Sequence, residues 1–360
     1  MRTTDIHTAL FYENKWLSFK EKSSISQGNR ILVKSLKSDL IDRRSAITKE
    51  EAYRKQFDDL KIIQKASEQS DAFEYSYALP PGSPLWQIIQ RKKLNLEERL
   101  FLAKNLIHIV LSFHKRKLLF YDLSWDIFWY DELDQNLYLL DATMVTPIDQ
   151  LETRYNVFLM IDSNMYTISP EQTFQSSSIP DIRSNYYSLA IILYALFTGE
   201  KPFKGDDRVS IIHKHLSQLP KAPHLVQGDL NIILSNFIIK LLSKNPNDRY
   251  QSALGLSNDF NLISDHILNG TSLEDFELGR NDFPLKFTMP DNVFIREDII
   301  NKLIEHSEGI NAAEKNIVLL QGEEGADSDS IINQFLRLLN YDTYYIGSGK
   351  YTLENNLPYS

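Results

Sequence analysis

The sequence predicts an α+β fold with a small β-rich lobe followed by a larger helical lobe. Three observations lead to this fold class. Residues 1–80 carry strand-like alternation and one helical segment, the run LPPGSP at 79–84 breaks both patterns, and the segments beyond it show helical periodicity. We therefore expect the first lobe to span residues 1–80 and the second to span residues 81–268.

The first lobe is predicted to open with strands and to continue with a helix. The segments FYENKWLSFK and KSSISQGNRILVKSLK predict strands around a hairpin turn at residues 27–29. From Thr48, the run TKEEAYRKQFDDLKIIQKA has a capping-type threonine followed by acids, and apolar residues recur at helical spacing. These patterns predict strands and then one helix that begins at Thr48.

The second lobe is predicted to be mainly helical. Residues 94–117 carry apolar side chains at i, i+3, i+4 and i+7, which is typical of a long amphipathic helix. Residues 118–145 alternate strand-like runs around an Asp-rich turn, so we expect a short hairpin with an aspartate just outside each arm. Further helices are predicted at 184–198, 208–217, 229–243 and 251–268.

The last part of the sequence predicts a second structural unit. Residues 269–290 are poorly periodic and are interpreted as a linker. Residues 291–360 then give a helix, a strand, a turn, a helix and a strand, which predicts the beginning of an α/β unit.

Composition excludes several classes of protein. The net charge of −9 argues against a nucleic-acid partner, because nucleic-acid proteins usually present a basic face. The absence of cysteine excludes disulfides and thiolate chemistry and is typical of a reducing cytoplasm. The amino terminus does not read as a signal peptide, and the most apolar stretch, 189–197, has the length of a buried helix. We therefore expect a cytoplasmic chain without a membrane span.

The order of elements and three residues resemble the protein kinases, a resemblance that covers residues 1–268. Lys34 in ILVKSLK is placed like the strand lysine that holds the α- and β-phosphates of ATP. Asp122 in FYDLSWDIF matches the catalytic-loop aspartate that accepts the substrate hydroxyl proton. Asp141 in YLLDATM matches the aspartate that holds Mg²⁺. The resemblance implies a bilobal fold with ATP and Mg²⁺ as cofactors, and no haem, flavin or NAD.

Two later motifs carry the most specific part of the resemblance. The run ISPEQ at 168–172 is similar to the end of the kinase activation segment, and LLSKNPNDRYQS at 241–252 is similar to the closing helical region. In this family the glutamate of the first motif forms a buried ion pair with the arginine of the second. The resemblance therefore implies a structural pair between Glu171 and Arg249.

Several residues depart from the kinase pattern. Phosphate-covering loops need glycine because the backbone approaches the phosphates closely, yet residues 10–27 contain none. The catalytic-loop asparagine, a second metal ligand, is replaced by Ile127, and only a one-residue deletion would let Asp126 substitute. The aspartate that braces the catalytic loop in this family is replaced by Asn185, so we expect the brace to be lost. On the helix that pairs with the strand lysine, the best alignment places Gln56 where a glutamate belongs, with Glu51 or Asp58 as alternatives after rotation of the helix.

The carboxyl-terminal region narrows the resemblance further. It is similar to large bacterial hybrid signalling proteins that join a Ser/Thr-kinase-like domain to a P-loop ATPase, a GAF domain and a histidine kinase. In NIVLLQGEEGADSDSII, Gly322 and Gly325 fit a P-loop, while Asp327, Ser328 and Asp329 replace its third glycine, lysine and hydroxyl residue. Carboxylates at these positions would repel phosphate, so we expect no triphosphate binding there. Residues 291–360 are thus interpreted as an incomplete, degenerate ATPase fragment.

These patterns leave three functional hypotheses. The first is a pseudokinase that acts as an interaction or regulatory module for protein partners, with weak or no phosphoryl transfer. The second is an ATP-dependent Ser/Thr kinase that uses Lys34, Asp122 and Asp141, with Asp126 as the substitute metal ligand. The third is a non-functional remnant of a longer signalling protein. The replaced glycines and metal ligand argue against tight binding of ATP and Mg²⁺.

Overall fold

A computed structural model of the chain divides it into two compact units, Met1–Leu285 and Lys286–Ser360. The described residues are 6–13, 17–24, 30–36, 43–57, 60–61, 65–69, 74–148, 165–173, 180–205, 207–273, 276–283, 297–308, 318–319 and 335. Helices and small sheets occur together within the first unit, which confirms the predicted α+β class.

A five-stranded antiparallel sheet forms the first lobe, in the order β1-β2-β3-β5-β4. Its strands are β1 (Ile6–Glu13), β2 (Leu17–Ser24), β3 (Arg30–Leu36), β4 (Lys65–Gln69) and β5 (Glu74–Ala78). The pairing of β2 with β3 confirms the predicted hairpin, although its turn at 27–29 lies outside the described residues. The register places Lys34 at the centre of the sheet, between Phe19 and Tyr75.

One helix, α1 (Arg43–Gln56), lies between β3 and β4 in the chain. The predicted start at Thr48 is wrong, because Thr48 lies inside the helix. The preceding run RRSAI contains no glycine or proline and includes good helix formers, so nothing in it stops the helix. The helix is also shorter than predicted at its carboxyl end, since β4 begins at Lys65.

The second lobe contains seven helices among the described residues. Their bounds are α2 (Leu85–Arg91), α3 (Leu96–Lys115), α4 (Ile182–Thr198), α5 (Arg208–Ser217), α6 (Pro223–Val226), α7 (Ile232–Leu241) and α8 (Ala253–Asn269). The five longer ones confirm the helices predicted for this region to within three residues at each end. The short α2 and α6 were not predicted.

Local sequence explains where the long helices begin. Asn95 caps α3 by accepting a hydrogen bond from the Glu98 backbone, and the Glu98 side chain accepts one from the Asn95 backbone in return. Asp181 caps α4 in the same manner with Ser184. Residues 189–197 of α4 are buried in the centre of the lobe, as the apolar stretch predicts.

Two small sheets position the loops of the second lobe. One consists of β6 (Ser83–Pro84), β8 (Phe128–Asp131) and β9 (Asn136–Leu139), and the other pairs β7 (Leu118–Phe120) with β10 (Val145–Pro147). The antiparallel pair β8 and β9 is the predicted hairpin around the Asp-rich turn. Asp122 follows β7 and Asp141 follows β9, each by two residues.

The segment that follows α8 packs against the second lobe. Phe276 and Leu278 contact its apolar core, and Asp282 accepts hydrogen bonds from the backbone of Gln251 and Ser252. Gly255 lies directly beneath Asp282, where a Cβ atom would collide with the carboxylate. Glycine is therefore required there by close approach.

The second unit is described mainly by the helix α9 (Glu297–Glu308), which agrees with the helix predicted at the start of residues 291–360. Gly322, Gly325 and the three residues 327–329 lie outside the described residues, so the P-loop interpretation stays a prediction. Across both units, no helix in the described part of the chain combines the length and apolar character needed to cross a bilayer.

Candidate functional site

A buried cluster of four charged side chains lies between the sheet and the second lobe. Lys34 of β3 donates a 2.7 Å hydrogen bond to Glu50 of α1 and also contacts Asp141, which follows β9. Glu50 also accepts a 2.7 Å hydrogen bond from Arg54, one turn further along α1. The cluster thus holds two positive and two negative groups, with a formal charge of zero.

Glu50 is the glutamate that pairs with Lys34, and the sequence alignment that placed Gln56 there is wrong. Gln56 is exposed at the end of α1. Glu50 shares a buried helical face with Tyr53 and Phe57, at spacings of three and seven residues. That stripe is the signal that identifies Glu50 in the sequence. The alternative Asp58 lies outside the described residues.

Hydrogen bonds orient both carboxylates of the cluster. Burial opposes ionisation of Glu50, but the charges of Lys34 and Arg54 and a hydrogen bond from the Ala142 backbone lower its pKa below 4.5. Asp141 accepts a 2.7 Å hydrogen bond from the Thr143 hydroxyl. The two residues after Asp141 therefore hold both carboxylates, Ala142 by its bond to Glu50 and Thr143 by its bond to Asp141.

The loop after β7 carries the other two predicted site residues. Asp122 and Asp126 both lie in this loop and are partly exposed. Between them, Leu123 and Trp125 are buried. The structure thus brings Lys34 and Asp141 into contact, and it places Asp122 and Asp126 together on a separate loop.

The backbone before Asp122 is held by Asn185. Its side-chain amide donates a 2.6 Å hydrogen bond to the Phe120 carbonyl, and its carbonyl oxygen accepts a 2.9 Å hydrogen bond from the Phe120 amide. Gln172 donates a further hydrogen bond to the Tyr121 carbonyl. The expectation that Asn185 loses the brace is wrong, because an amide side chain can donate and accept at once.

Stacked rings connect this loop to α1. Phe113 of α3 stacks on Phe57 at 4.2 Å between centroids and contacts Phe120 at 4.5 Å. The next residue, His114, lies 3.0 Å from the Asn185 carbonyl oxygen, and burial lowers its pKa to about 4. The end of α3 therefore contacts both α1 and the strand before Asp122.

The position that the kinase resemblance assigns to a second metal ligand holds an apolar side chain. Ile127 is 3% exposed and belongs to the apolar core, and its carbonyl accepts a 2.8 Å hydrogen bond from the Leu140 amide. Isoleucine has no side-chain oxygen, so the side chain at this position cannot coordinate a cation.

The charge of Asp126, the proposed substitute ligand, acts on the nearby side chain of Lys201. The Lys201 ammonium lies 3.3 Å from the centroid of the Tyr166 ring and within 5.4 Å of the Trp86 and Trp125 rings. Burial lowers the pKa of Lys201, and the negative charge of Asp126 opposes that shift. Asp126 therefore already stabilises a cation that belongs to the chain.

The predicted structural pair is observed as a contact. Arg249 donates to both carboxylate oxygens of Glu171, at 2.6 and 3.0 Å, and both side chains are buried. Its remaining N–H groups donate to three backbone carbonyls, those of Arg183, Ser243 and Lys244. All five guanidinium donors are thus satisfied.

The α+β fold of the first unit and the cluster of Lys34, Glu50 and Asp141 fit a protein-kinase-like domain, and similar sequences support this class. The chain is 29% identical over 218 residues to hybrid signal transduction histidine kinase G of Dictyostelium discoideum, which covers 55% of this chain and 6% of that protein. It is 39% identical over 92 residues to serine/threonine-protein kinase PknB of Mycobacterium leprae, which covers 26% of this chain and 14% of that kinase.

A third relative is a probable serine/threonine-protein kinase of Clostridium acetobutylicum, 33% identical over 103 residues, covering 28% of this chain and 15% of that kinase. The chain thus spans between 6% and 15% of the length of these three curated relatives. No family model matches it.

Proposed function

We propose that the kinase-like domain is a pseudokinase, which serves as an interaction or regulatory module for protein partners in signalling and transfers phosphate weakly or not at all. The observation that carries this proposal is the buried side chain of Ile127 at the position of the second metal ligand. Kinase phosphoryl transfer depends on positioning and on neutralising charge with metal ions, so the loss of a ligand acts directly on the reaction.

The described residues fit a magnesium nucleotide only in part. Lys34 has the chemistry to contact phosphate and Asp141 has the chemistry to hold a cation, but each already neutralises the other. Within the described residues, no group of three histidine, aspartate or glutamate side chains is placed to hold a metal ion. Residues 10–27 also contain no glycine, so close approach of the backbone to phosphate is hindered. These observations support the proposal that this site does not hold two metal ions.

A second candidate function is an active Ser/Thr kinase with Asp126 as the substitute metal ligand. The observation that favours it is the assembled pair of Lys34 and Glu50, with Asp141 beside them, because active kinases require this pair in place. The brace at Phe120 is also intact. These features are compatible with residual transfer through Lys34, Asp122 and Asp141.

A thermal-shift titration with ATP and Mg²⁺ tests nucleotide binding. The pseudokinase proposal predicts no magnesium-dependent rise in the melting temperature of the full chain at millimolar ATP. Lys34→Ala and Asp141→Ala serve as matched controls, since any shift that survives them comes from another site. A magnesium-dependent shift that both variants abolish would favour the kinase.

Transfer of radiolabelled phosphate from ATP to a generic acceptor such as myelin basic protein tests the reaction itself. We expect the wild-type chain to give no more label than Asp122→Asn. Ile127→Asn returns an oxygen ligand to the metal position, and Ile127→Val is its control for loss of core volume. Label incorporated by the wild type, and removed by both Asp122→Asn and Asp126→Ala, would overturn the proposal in favour of the second candidate.

A further inference from the structure

A groove of about 340 Å³ lies on the second lobe between α3 and α8. Its floor is apolar, since it includes Ile107, Leu111 and Phe260, which are all buried. Leu254 forms part of the opposite rim and is 65% exposed. The groove shares no lining residue with the charged cluster around Lys34, so it is a separate feature of the domain.

The ionisable groups along this groove are all basic. Lys104, His108 and Lys115 line it from α3 and are exposed, and no aspartate or glutamate is among its lining residues. This contrasts with the chain as a whole, which carries a net charge of −9. An acidic ligand would therefore be attracted to this surface, whereas much of the rest of the chain would repel it.

The basic residues follow an extended line. Lys104 and Lys115 are eleven positions apart on α3, which corresponds to about 16 Å along the helix axis. A ligand that contacts both has the length of about three helical turns. An apolar floor with charges along one rim, bounded by two helices, is the geometry that receives an amphipathic helix.

We propose that this groove binds an amphipathic helix of a partner protein, with its apolar face against Ile107, Leu111 and Leu254 and with acidic residues facing Lys104 and Lys115. The proposal goes beyond the pseudokinase assignment and holds whether or not the domain transfers phosphate. It identifies a docking surface outside the nucleotide region and the charge of the segment that docks there.

Two fluorescein-labelled synthetic peptides test this proposal on the full chain by fluorescence anisotropy. Both have about 16 residues and the same leucine stripe at helical spacing, and their polar face is glutamate in one and lysine in the other. We expect the glutamate peptide to bind at least about tenfold more tightly, with an affinity that falls between about 50 and about 300 mM salt. Equal binding of the two peptides would overturn the proposal.

Variants locate the binding. The double variant Lys104→Glu with Lys115→Glu should weaken binding of the glutamate peptide at least about tenfold and should strengthen binding of the lysine peptide. Lys93→Glu with Lys221→Glu gives the same change in net charge at exposed positions outside the groove and should have little effect. If both double variants weaken binding equally, the attraction is not specific to the groove and the proposal fails.

A third variant and a competition experiment test whether the groove binds something other than a partner helix. Leu254→Asp should weaken binding of the glutamate peptide without changing the sedimentation behaviour of the chain. If Leu254→Asp instead converts a dimer to a monomer, the occupant is a second copy of the chain and the proposal is wrong. Displacement of the peptide by dodecanoate at lower concentration than the unlabelled peptide would show that the groove prefers a small anionic amphiphile, which also contradicts the proposal.

Discussion

Two buried ionic networks in the first unit have different partners. Arg249 in the second lobe places two donors on Glu171 and three on backbone carbonyls. Lys34 at the centre of the sheet contacts two carboxylates, Glu50 and Asp141, which come from α1 and from the loop after β9. The first network ties a side chain to fixed backbone, and the second joins side chains of three separate elements.

This difference distinguishes a network that stabilises the fold from a network that a ligand could displace. Backbone carbonyls at the Arg249 site exist in that arrangement only when the second lobe is folded, so that network stabilises the lobe. The Lys34 network consists of charged side chains whose total charge is zero, so a phosphate or a cation that enters must compete with bonds already made. The chain keeps a kinase-like fold, whereas our proposal is that its phosphate-binding chemistry is lost at Ile127 and in the glycine-free residues 10–27.

The largest expected effect is the loss of the Arg249 network. Arg249→Ala leaves Glu171 buried without its cation, so we expect a loss of about 4 kcal/mol in the free energy of unfolding. Urea unfolding followed by tryptophan fluorescence measures it, and all four tryptophans lie within residues 1–285. The control is Arg91→Ala, whose pair with Glu132 is about 40% exposed and should contribute less than about 1 kcal/mol. Similar losses in both variants would contradict the comparison.

The second effect concerns the Lys34 network and depends on pH. Lys34→Met leaves Glu50 and Asp141 with one cation, so we expect a loss of about 3 kcal/mol in the free energy of unfolding at pH 7. The pKa of Glu50 is lowered in the folded chain, so its contribution is present above pH 4.5 and is lost as the pH falls through the folded value.

The cost of Lys34→Met should therefore be smaller when urea unfolding is repeated near pH 4, because Glu50, without the Lys34 charge that lowers its pKa, then takes up a proton. Lys93→Met, at an exposed position, is the control for loss of a positive charge. A cost that is the same at both pH values would show that Lys34 stabilises the fold through packing instead of charge.

A third effect comes from His114, beside the brace at Asn185. Burial lowers the pKa of His114 to about 4 from 6.5, so its contribution is complete above pH 6.5 and is lost as the pH falls towards 4. That contribution is at most about 3 kcal/mol. His114→Leu should make the free energy of unfolding less dependent on pH in this window.

Part of the dependence should remain in His114→Leu, because burial also lowers the pKa of His215 to about 3. The same substitution at the exposed His213 tests whether the loss of any histidine has this effect. An unchanged pH profile in His114→Leu would show that His114 does not stay neutral when the chain folds.

The smallest expected effect is at Thr143, which holds Asp141 from within its own turn. Thr143→Val removes one hydrogen bond but leaves the contact with Lys34, so we expect a loss of about 1 kcal/mol in the free energy of unfolding. The same urea experiment measures it. A loss as large as that of Lys34→Met would mean that the local turn, and not the lysine, orients Asp141.

Periodicity predicted most of the helical lobe because its helices bury one continuous face. Residues 94–117 show the pattern clearly, and α3 follows it from Leu96 to Lys115. The start of α1 was predicted five residues late, since Thr48 is a common capping residue but the chain before it is also compatible with a helix. Local patterns do not decide between two acceptable starts when tertiary contacts select one.

The candidate site was predicted in part for a similar reason. Lys34 and Asp141 lie in recognisable strand and turn positions, whereas Glu50 stands next to Glu51 in a run of charged residues. Only the burial of Tyr53 and Phe57 distinguishes the inward face, and burial depends on the sheet above the helix. Asn185 was misjudged because residue identity was compared without the geometry of the two hydrogen bonds that it makes.

The ring of Phe113 touches Phe57 on one side and Phe120 on the other. Its neighbours Ser112 and Lys115 line the groove between α3 and α8. A change in side-chain volume at position 113 would therefore disturb the contacts with both rings simultaneously. Position 113 should consequently tolerate few residue types.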